Sequence, residues 1–354
     1  MICAGPGGVG KTTTSAAIAT GMAARGLKVG VVTIDPAKRL ANALGLNRLE
    51  NDPKRVDPER LANHGLEFAP GGELWAMTLD PKRTFDALIE RLAPDDRTRE
   101  EIFDNRIYQE LSNAIAGSQE FTAIAKLHEL DQEGDFDLLV LDTPPSRNAL
   151  DFLDAPGRLV QFFQGRAVRL FLRPAGFGGR LVGAGTGVVF SVMKRATGID
   201  LLEDLGVFFR SIGGLVDGIA ERARSVGALL EDPGTAFVIV TSPEHEPVEE
   251  ALHFHGKLRE ARMAFAGLVV NRVRIERPMA VPAGLREELG DDLAGRVQAA
   301  VDELAALAER DVGSISRLQE ALDRPPTIVV PQLAEDVHDV DGLVEIAAYL
   351  FGED

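Results

Sequence analysis

The stretch Gly5-Pro6-Gly7-Gly8-Val9-Gly10-Lys11-Thr12 packs four glycines, a lysine and a hydroxyl into eight residues. Glycines let successive backbone N–H groups turn toward one anion. A lysine adds a point charge on the phosphate oxygens, and a hydroxyl at Thr12 can ligate Mg²⁺. The pattern G-x-x-x-x-G-K-[ST] is a triphosphate cradle in which Gly7, Gly8, Val9, Gly10, Lys11, Thr12 and Thr13 would face the phosphates. The same residues fit G-x-G-x-x-G, a dinucleotide fingerprint with Asp35 as its ribose acid. Lys11-Thr12 decides for the triphosphate, because a pyrophosphate bridge needs no lysine followed by a hydroxyl. A second element, Leu138-Leu139-Val140-Leu141-Asp142, is an apolar run ending in an acid. Asp142 would hold a water on the Mg²⁺. No N-K-x-D or T-K-x-D sequence occurs, so the nucleotide expected is ATP.

These residues need a scaffold, and the flanking pattern supplies one. Met1 to Ala4 reads as the end of a buried strand, Lys11 to Arg25 as an Ala-rich helix closed by Gly26, and Lys28 to Ile34 as a β-branched strand. Strand, glycine loop, helix and strand make a βαβ unit, which calls for a right-handed crossover and a parallel sheet. The helix starting at Lys11 aims its N-terminal dipole at the bound anion. Further strands fit Glu73 to Leu79, Phe136 to Leu141, Ala236 to Thr241, Ala266 to Asn271 and Thr327 to Val330, while Asn51 to Gly72 reads as a connector. Only four residues precede Gly5, fewer than the five or six or so of a usual strand. The first strand is therefore short, or begins upstream of Met1. The fold class expected is α/β: a P-loop NTPase with a mainly parallel sheet flanked by helices, plus a helical insertion subdomain. Residues 1–354 read as one ATPase domain, with the helical insertions at about 81–133 and 151–232.

Composition narrows the function classes. A formal charge of -17 argues against nucleic acid, whose backbone is gripped by massed Lys and Arg. The single cysteine, Cys3, excludes a disulfide framework or a cysteine zinc site within one chain and fits a reducing cytoplasm. The opening glycine loop leaves no room for a secretory signal, and no apolar run is long enough to span a bilayer.

The motifs together resemble the MinD/ArsA group of P-loop ATPases. The loop through Lys11-Thr12-Thr13 looks like its deviant Walker A. Thr33-Ile34-Asp35-Pro36-Ala37 resembles switch I, and Asp142-Thr143-Pro144-Pro145-Ser146 resembles switch II. Leu74 to Pro81 resembles a strand-to-helix step of ArsA and of the guided-entry ATPase for tail-anchored membrane proteins. Val269-Val270-Asn271-Arg272 resembles the strand with an adenine-contacting Asn, and Val330-Pro331 the loop over the base. The resemblance implies face-to-face dimers closed by ATP. It assigns Asp35 to the attacking water, Thr12 and Asp142 to Mg²⁺, Asn271 and Pro331 to the adenine, and a hydrophobic or tail-anchored client to the helical lobe.

Two positions depart from that group. Family members usually carry a lysine at the position of Pro6, reaching across the dimer to the partner's phosphates. Three explanations stay open: hydrolysis is weak, a cation such as Lys38, Arg39 or Arg147 substitutes, or a different subunit bearing the lysine pairs with this chain. The third is favoured. Arsenite pumps of the group use several cysteines, and many guided-entry ATPases clasp their dimer with a C-x-x-C zinc pair. One cysteine serves neither, so arsenite pumping is not expected.

Between Pro156 and Ile199 lie seven basic residues and no acid, interleaved with Phe162, Phe163, Phe171, Phe177 and Phe190. An apolar groove edged by cations would suit a membrane-protein client or transient contact with an anionic membrane. A solvated hairpin packed by its apolar face explains the pattern equally. His245, His253 and His255 sit among glutamates; on a helix the last two diverge by about 200° and cannot share a metal. They read as a solvated acidic helix.

Overall fold

The computed structural model describes residues 1–35, 38–106, 108–109, 119–143, 157, 161, 208, 211–274, 282–333, 337 and 339–352. Contacts divide the chain into two compact units, Met1–Thr78 with Gly134–Leu150 and Glu231–Asp354, and Leu79–Glu133 with Asp151–Leu230.

The first unit is built on an eight-stranded sheet: β1 Ile2–Ala4, β2 Lys28–Thr33, β3 Lys54–Arg55, β4 Glu73–Thr78, β5 Leu138–Asp142, β6 Ala236–Thr241, β7 Ala264–Val273 and β8 Thr327–Pro331. Their spatial order is β3-β4-β2-β5-β1-β6-β7-β8. Every pairing is parallel except β3 with β4, as expected of an α/β nucleotide fold. The parallel strands are buried on both faces, which is why they read as continuous apolar runs. β3 and helix α3 (Pro58–Ala62) fall in the stretch read as a connector. Both β3 residues are exposed, so no hydrophobic pattern marks it; a two-residue polar edge strand leaves no such trace.

Helix α1, Lys11–Ala24, crosses the sheet and packs on β1, β2, β4, β5 and β6. It is buried almost all round, so alanine replaces an amphipathic stripe. Gly26, at φ +94°, turns the chain out of this helix into β2. Helix α2, Arg39–Ala43, follows β2.

In the second unit the described helices are α4 Pro81–Leu92, α5 Asp96–Phe103, α6 Gln119–Glu133 and α7 Val216–Glu231, whose last residue belongs to the first unit. Phe85 stacks on Tyr108 at 6.4 Å, and the Tyr108 hydroxyl donates to Asp86 at 2.6 Å. A cleft of about 340 Å³ is lined by Thr84, Leu88, Arg91, Ala125, Glu129 and Arg222 among others; Arg91 pairs with Glu129 there at 2.7 Å. The basic apolar stretch Pro156 to Ile199 lies outside the described residues apart from 157 and 161.

In the first unit, α8 His245–Glu260 covers the opposite sheet face from α1. Phe254 meets Phe237 edge-on, while Val238 and Val240 point into the cluster containing α1. Here one expectation is corrected. His255 is buried, ring to ring with Phe265 at 4.8 Å, and burial lowers its pKa. The helix is amphipathic rather than solvated throughout, because His255 falls in line with Val248, Ala251 and Leu258. The helices α9 Ala283–Leu289, α10 Asp291–Ala321 and α11 Val340–Phe351 complete the unit. No helix among the described residues is long and apolar enough to cross a membrane.

α11 seals α1. At Gly21 a Cβ would stand 2.0 Å from the Phe351 ring, and Arg25 lies over that ring at 4.2 Å. Gly21→Val is expected to lower the unfolding free energy by about 1–3 kcal/mol through overpacking, read from denaturant melts. Adding Phe351→Ala should recover part of the loss; equal losses in both backgrounds would refute the contact.

Candidate active site

The residues singled out by sequence converge on the carboxyl edge of the sheet, where open α/β sheets bind ligands. β1 runs into the glycine loop, β2 ends at Thr33 two residues before Asp35, β5 ends at Asp142, and β7 and β8 end near Asn271 and at Pro331. The sheet order sets β2 and β1 on either side of β5, so Cys3 and Thr33 both lie opposite Asp142.

The loop is held by its neighbours. Gly5 has φ +149°, and a Cβ there would lie 2.0 Å from the Val240 carbonyl oxygen. Gly10 sits in the left-handed region at φ +91°, and a Cβ would fall 2.3 Å from Asn271 Nδ2. Both positions exclude a side chain, whereas Gly7 and Gly8 are exposed. Gly10 also N-caps α1, whose first turn carries no acid. Lys11 is buried and donates to the Gly5 and Pro6 carbonyls at 2.9 and 2.7 Å. Desolvation pushes its pKa down, opposed by the charge of Asp142.

Asp142 is fully buried. Its Oδ2 accepts from Thr12 Oγ1 at 2.8 Å and from Thr33 Oγ1 at 2.7 Å. Its Oδ1 is buried with no hydrogen-bond partner among the described residues. Burial raises the Asp142 pKa from 3.8 to about 6, resisted by the Thr33 and Thr12 hydrogen bonds and by Lys11. A carboxylate oxygen left bare inside a protein is costly unless something cationic or protic reaches it. Together with the Thr12 hydroxyl it forms the hard-oxygen donor set that Mg²⁺ takes, so these residues fit that ion.

Asp35 is mostly covered; its carboxylate lies 3.4 Å from Arg39, and its N–H donates to Thr33 Oγ1 at 3.2 Å. Asn271 is buried and donates to the Val9 carbonyl at 2.9 Å while accepting the Arg272 N–H at 2.9 Å. It thus braces the glycine loop, a contact the sequence did not disclose. Arg272 has φ +60° and the β7–β8 register slips there, after which Val273 pairs with Pro331. Asn271 and Pro331 therefore stand at adjoining strand ends. Two further contacts escaped sequence reasoning. Thr33 had a signal, a hydroxyl closing an otherwise apolar strand, but its partner is 109 residues away. Asp311 of α10, buried, grips both the backbone N–H and the guanidinium of Arg274 at 3.0 and 3.1 Å; nothing local marks it. Pro36, Ala37, Pro144, Pro145, Ser146 and Arg147 lie outside the described residues.

Residues 1–282 match the family model of the anion-transporting (ArsA) ATPases. The chain belongs to that family. Among its relatives, ATPase ARSA2 of Chlamydomonas reinhardtii is 27% identical over 274 residues, 76% of this chain and 66% of its own. ATPase GET3A of Arabidopsis thaliana is 26% identical over 270 residues, covering 76% and 65%. The ASNA1 homolog ATPase of Cryptosporidium parvum is 24% identical over 285 residues, covering 79% and 66%. The matched stretches thus span about two thirds of the length of these curated relatives. Membership in the ArsA ATPase family implies nucleotide binding.

The raised pKa sets a sign for pH dependence. Without nucleotide, the folded chain holds a proton on Asp142 where the unfolded chain has lost it. Its contribution to stability is full below about pH 4 and gone above about pH 6. Asp142→Asn removes that penalty while keeping an oxygen for the two threonines. At pH 7 the nucleotide-free variant should equal or exceed the parent in stability, by up to roughly 3 kcal/mol. The comparison is calorimetric melting at pH 4.5 and 7. Clear destabilisation at pH 7 would contradict the assignment.

Proposed function

We propose that this chain is a Mg²⁺-dependent ATPase, converting ATP and water to ADP and phosphate within a dimer that closes around nucleotide. The observation that supports it most directly is the meeting of Lys11, Thr12 and Asp142 beneath a glycine loop at the sheet's carboxyl edge. On this reading the loop amides and the α1 N-terminus receive the phosphates. Lys11 exchanges the Gly5 and Pro6 carbonyls for phosphate oxygens. Thr12 and Asp142 would hold Mg²⁺, which would neutralise charge on the β- and γ-phosphoryl oxygens. Asp35 orients the attacking water and takes up its proton, and Asn271 and Pro331 frame the adenine.

For the rest of the molecule, we read residues 1–354 as one ATPase domain whose helical insertions form a lobe for a hydrophobic or tail-anchored client, acting in the cytoplasm with transient membrane contact. The basic apolar sequence of Pro156 to Ile199 and the family resemblance support this. Metalloid pumping is not supported: the chain's one cysteine, Cys3, is buried and desolvation raises its thiol pKa to about 11, which disfavours a thiolate ligand.

A second reading is a low-turnover regulatory subunit of a heterodimeric ATPase. Pro6 favours it, being buried, with its carbonyl occupied by Lys11 and no side chain able to reach a partner's phosphates. Lys11→Ala should abolish the heat of Mg-ATP binding. Asp35→Asn should retain binding but lower turnover by about 100-fold or more, trapping the ATP state for pull-down of clients. Turnover that appears only when a related, lysine-bearing ATPase is mixed in would select the second reading. Full turnover by the lone chain would dismiss it.

A further inference from the structure

We propose that Thr33 is a positioning residue that couples the metal-binding carboxylate Asp142 to the water-orienting acid Asp35. This rests on the triphosphate reading of the site. Thr33 closes β2 directly opposite Asp142 in the parallel register and is 2% exposed. Its oxygen makes two hydrogen bonds of opposite sense: it donates to Asp142 Oδ2 at 2.7 Å and accepts the Asp35 N–H at 3.2 Å. A hydroxyl has one proton. With that proton committed to Asp142, a lone pair is left for the Asp35 amide, so the carboxylate dictates how Asp35 is held.

The Oδ2 atom is also gripped by Thr12 at 2.8 Å, while Oδ1 lacks a partner among the described residues. The two hydroxyls therefore fix the rotation of the carboxylate and leave Oδ1 as the oxygen that would meet the cation. The same Thr33 oxygen then ties the Asp35 backbone to that orientation. A residue chosen only to fill the strand would be valine, as at Val31 and Val32 just before it. Burying a hydroxyl there is unfavourable unless its bonds are used. Thr33 thus acts on the site through others, as groups behind metal ligands do.

The test compares the full-length chain with Thr33→Val, which keeps the shape and loses the hydroxyl, and Thr33→Ser, which keeps the hydroxyl. Three quantities are read: Mg-ATP affinity by calorimetry, turnover, and exchange of the Asp35 amide with nucleotide in the presence and absence of Mg²⁺. Thr33→Val should bind with a Kd within about threefold of the parent while kcat falls roughly 10- to 100-fold. Its Asp35 amide should exchange fast with or without Mg²⁺, whereas Mg²⁺ slows exchange in the parent. Thr33→Ser should restore both turnover and protection. Parental kcat and parental Mg²⁺-dependent protection in Thr33→Val would overturn the coupling, as would a serine variant no better than valine. If the parent itself gave no heat with Mg-ATP, the triphosphate reading would fail and this proposal with it. Loss of the coupling alone would leave that reading standing.

Discussion

A carboxylate buried beneath a glycine loop, one oxygen doubly hydrogen-bonded and the other without a partner among the described residues, is the constraint around which this site is organised. Taking Asp142 out of water is unfavourable enough to lift its pKa to about 6 even with Thr12, Thr33 and Lys11 beside it. An isolated fold would do better with a neutral side chain there. The proposed function gives the arrangement a purpose, since a divalent cation would supply the charge that the protein withholds.

That arrangement depends on strand order. β5 lies between β2 and β1, and parallel register brings Thr33, Asp142 and Cys3 level with one another. The glycine loop springs from β1, and α1 returns across the sheet, so Thr12 in its first turn comes back over the end of β5. The loop is then clamped from the other side. Val240 leaves no space for a Cβ at Gly5, and Asn271 leaves none at Gly10. Clamping a loop from both sides restricts its conformations, which lowers the cost of ordering it on binding. Asn271 carries two duties on this account, because the amide proposed for adenine already braces Val9.

Family membership and the two departures from family pattern have separate physical meanings. The family match takes in the glycine loop and strands β1 to β7, and β8 lies beyond it. Pro6 contributes a backbone carbonyl to the Lys11 ammonium and nothing beyond it. Cys3 is a small apolar filler in the central strand, directly under the site and chemically quiet.

The sequence by itself determined the βαβ opening, the phosphate loop, the acid-ended strand at Asp142 and a parallel sheet, because each leaves a local signature. Glycines at fixed offsets, a helix-start lysine and uninterrupted apolar runs can be read without knowing any neighbour. It also placed Asp35, Asn271 and Pro331 at strand ends, through likeness to known motifs. Only the tertiary structure decided which residues answer one another across the sheet. The Thr33–Asp142 bond spans 109 residues, Asn271–Val9 spans 262 and Arg274–Asp311 spans 37. Strand β3 stayed hidden for a different reason: both its residues are exposed, so it carries no apolar pattern. His255 shares the spacing of Val248, Ala251 and Leu258, but a titratable ring among glutamates carries no apolar signal of its own, and its burial shows only once Phe265 packs on it.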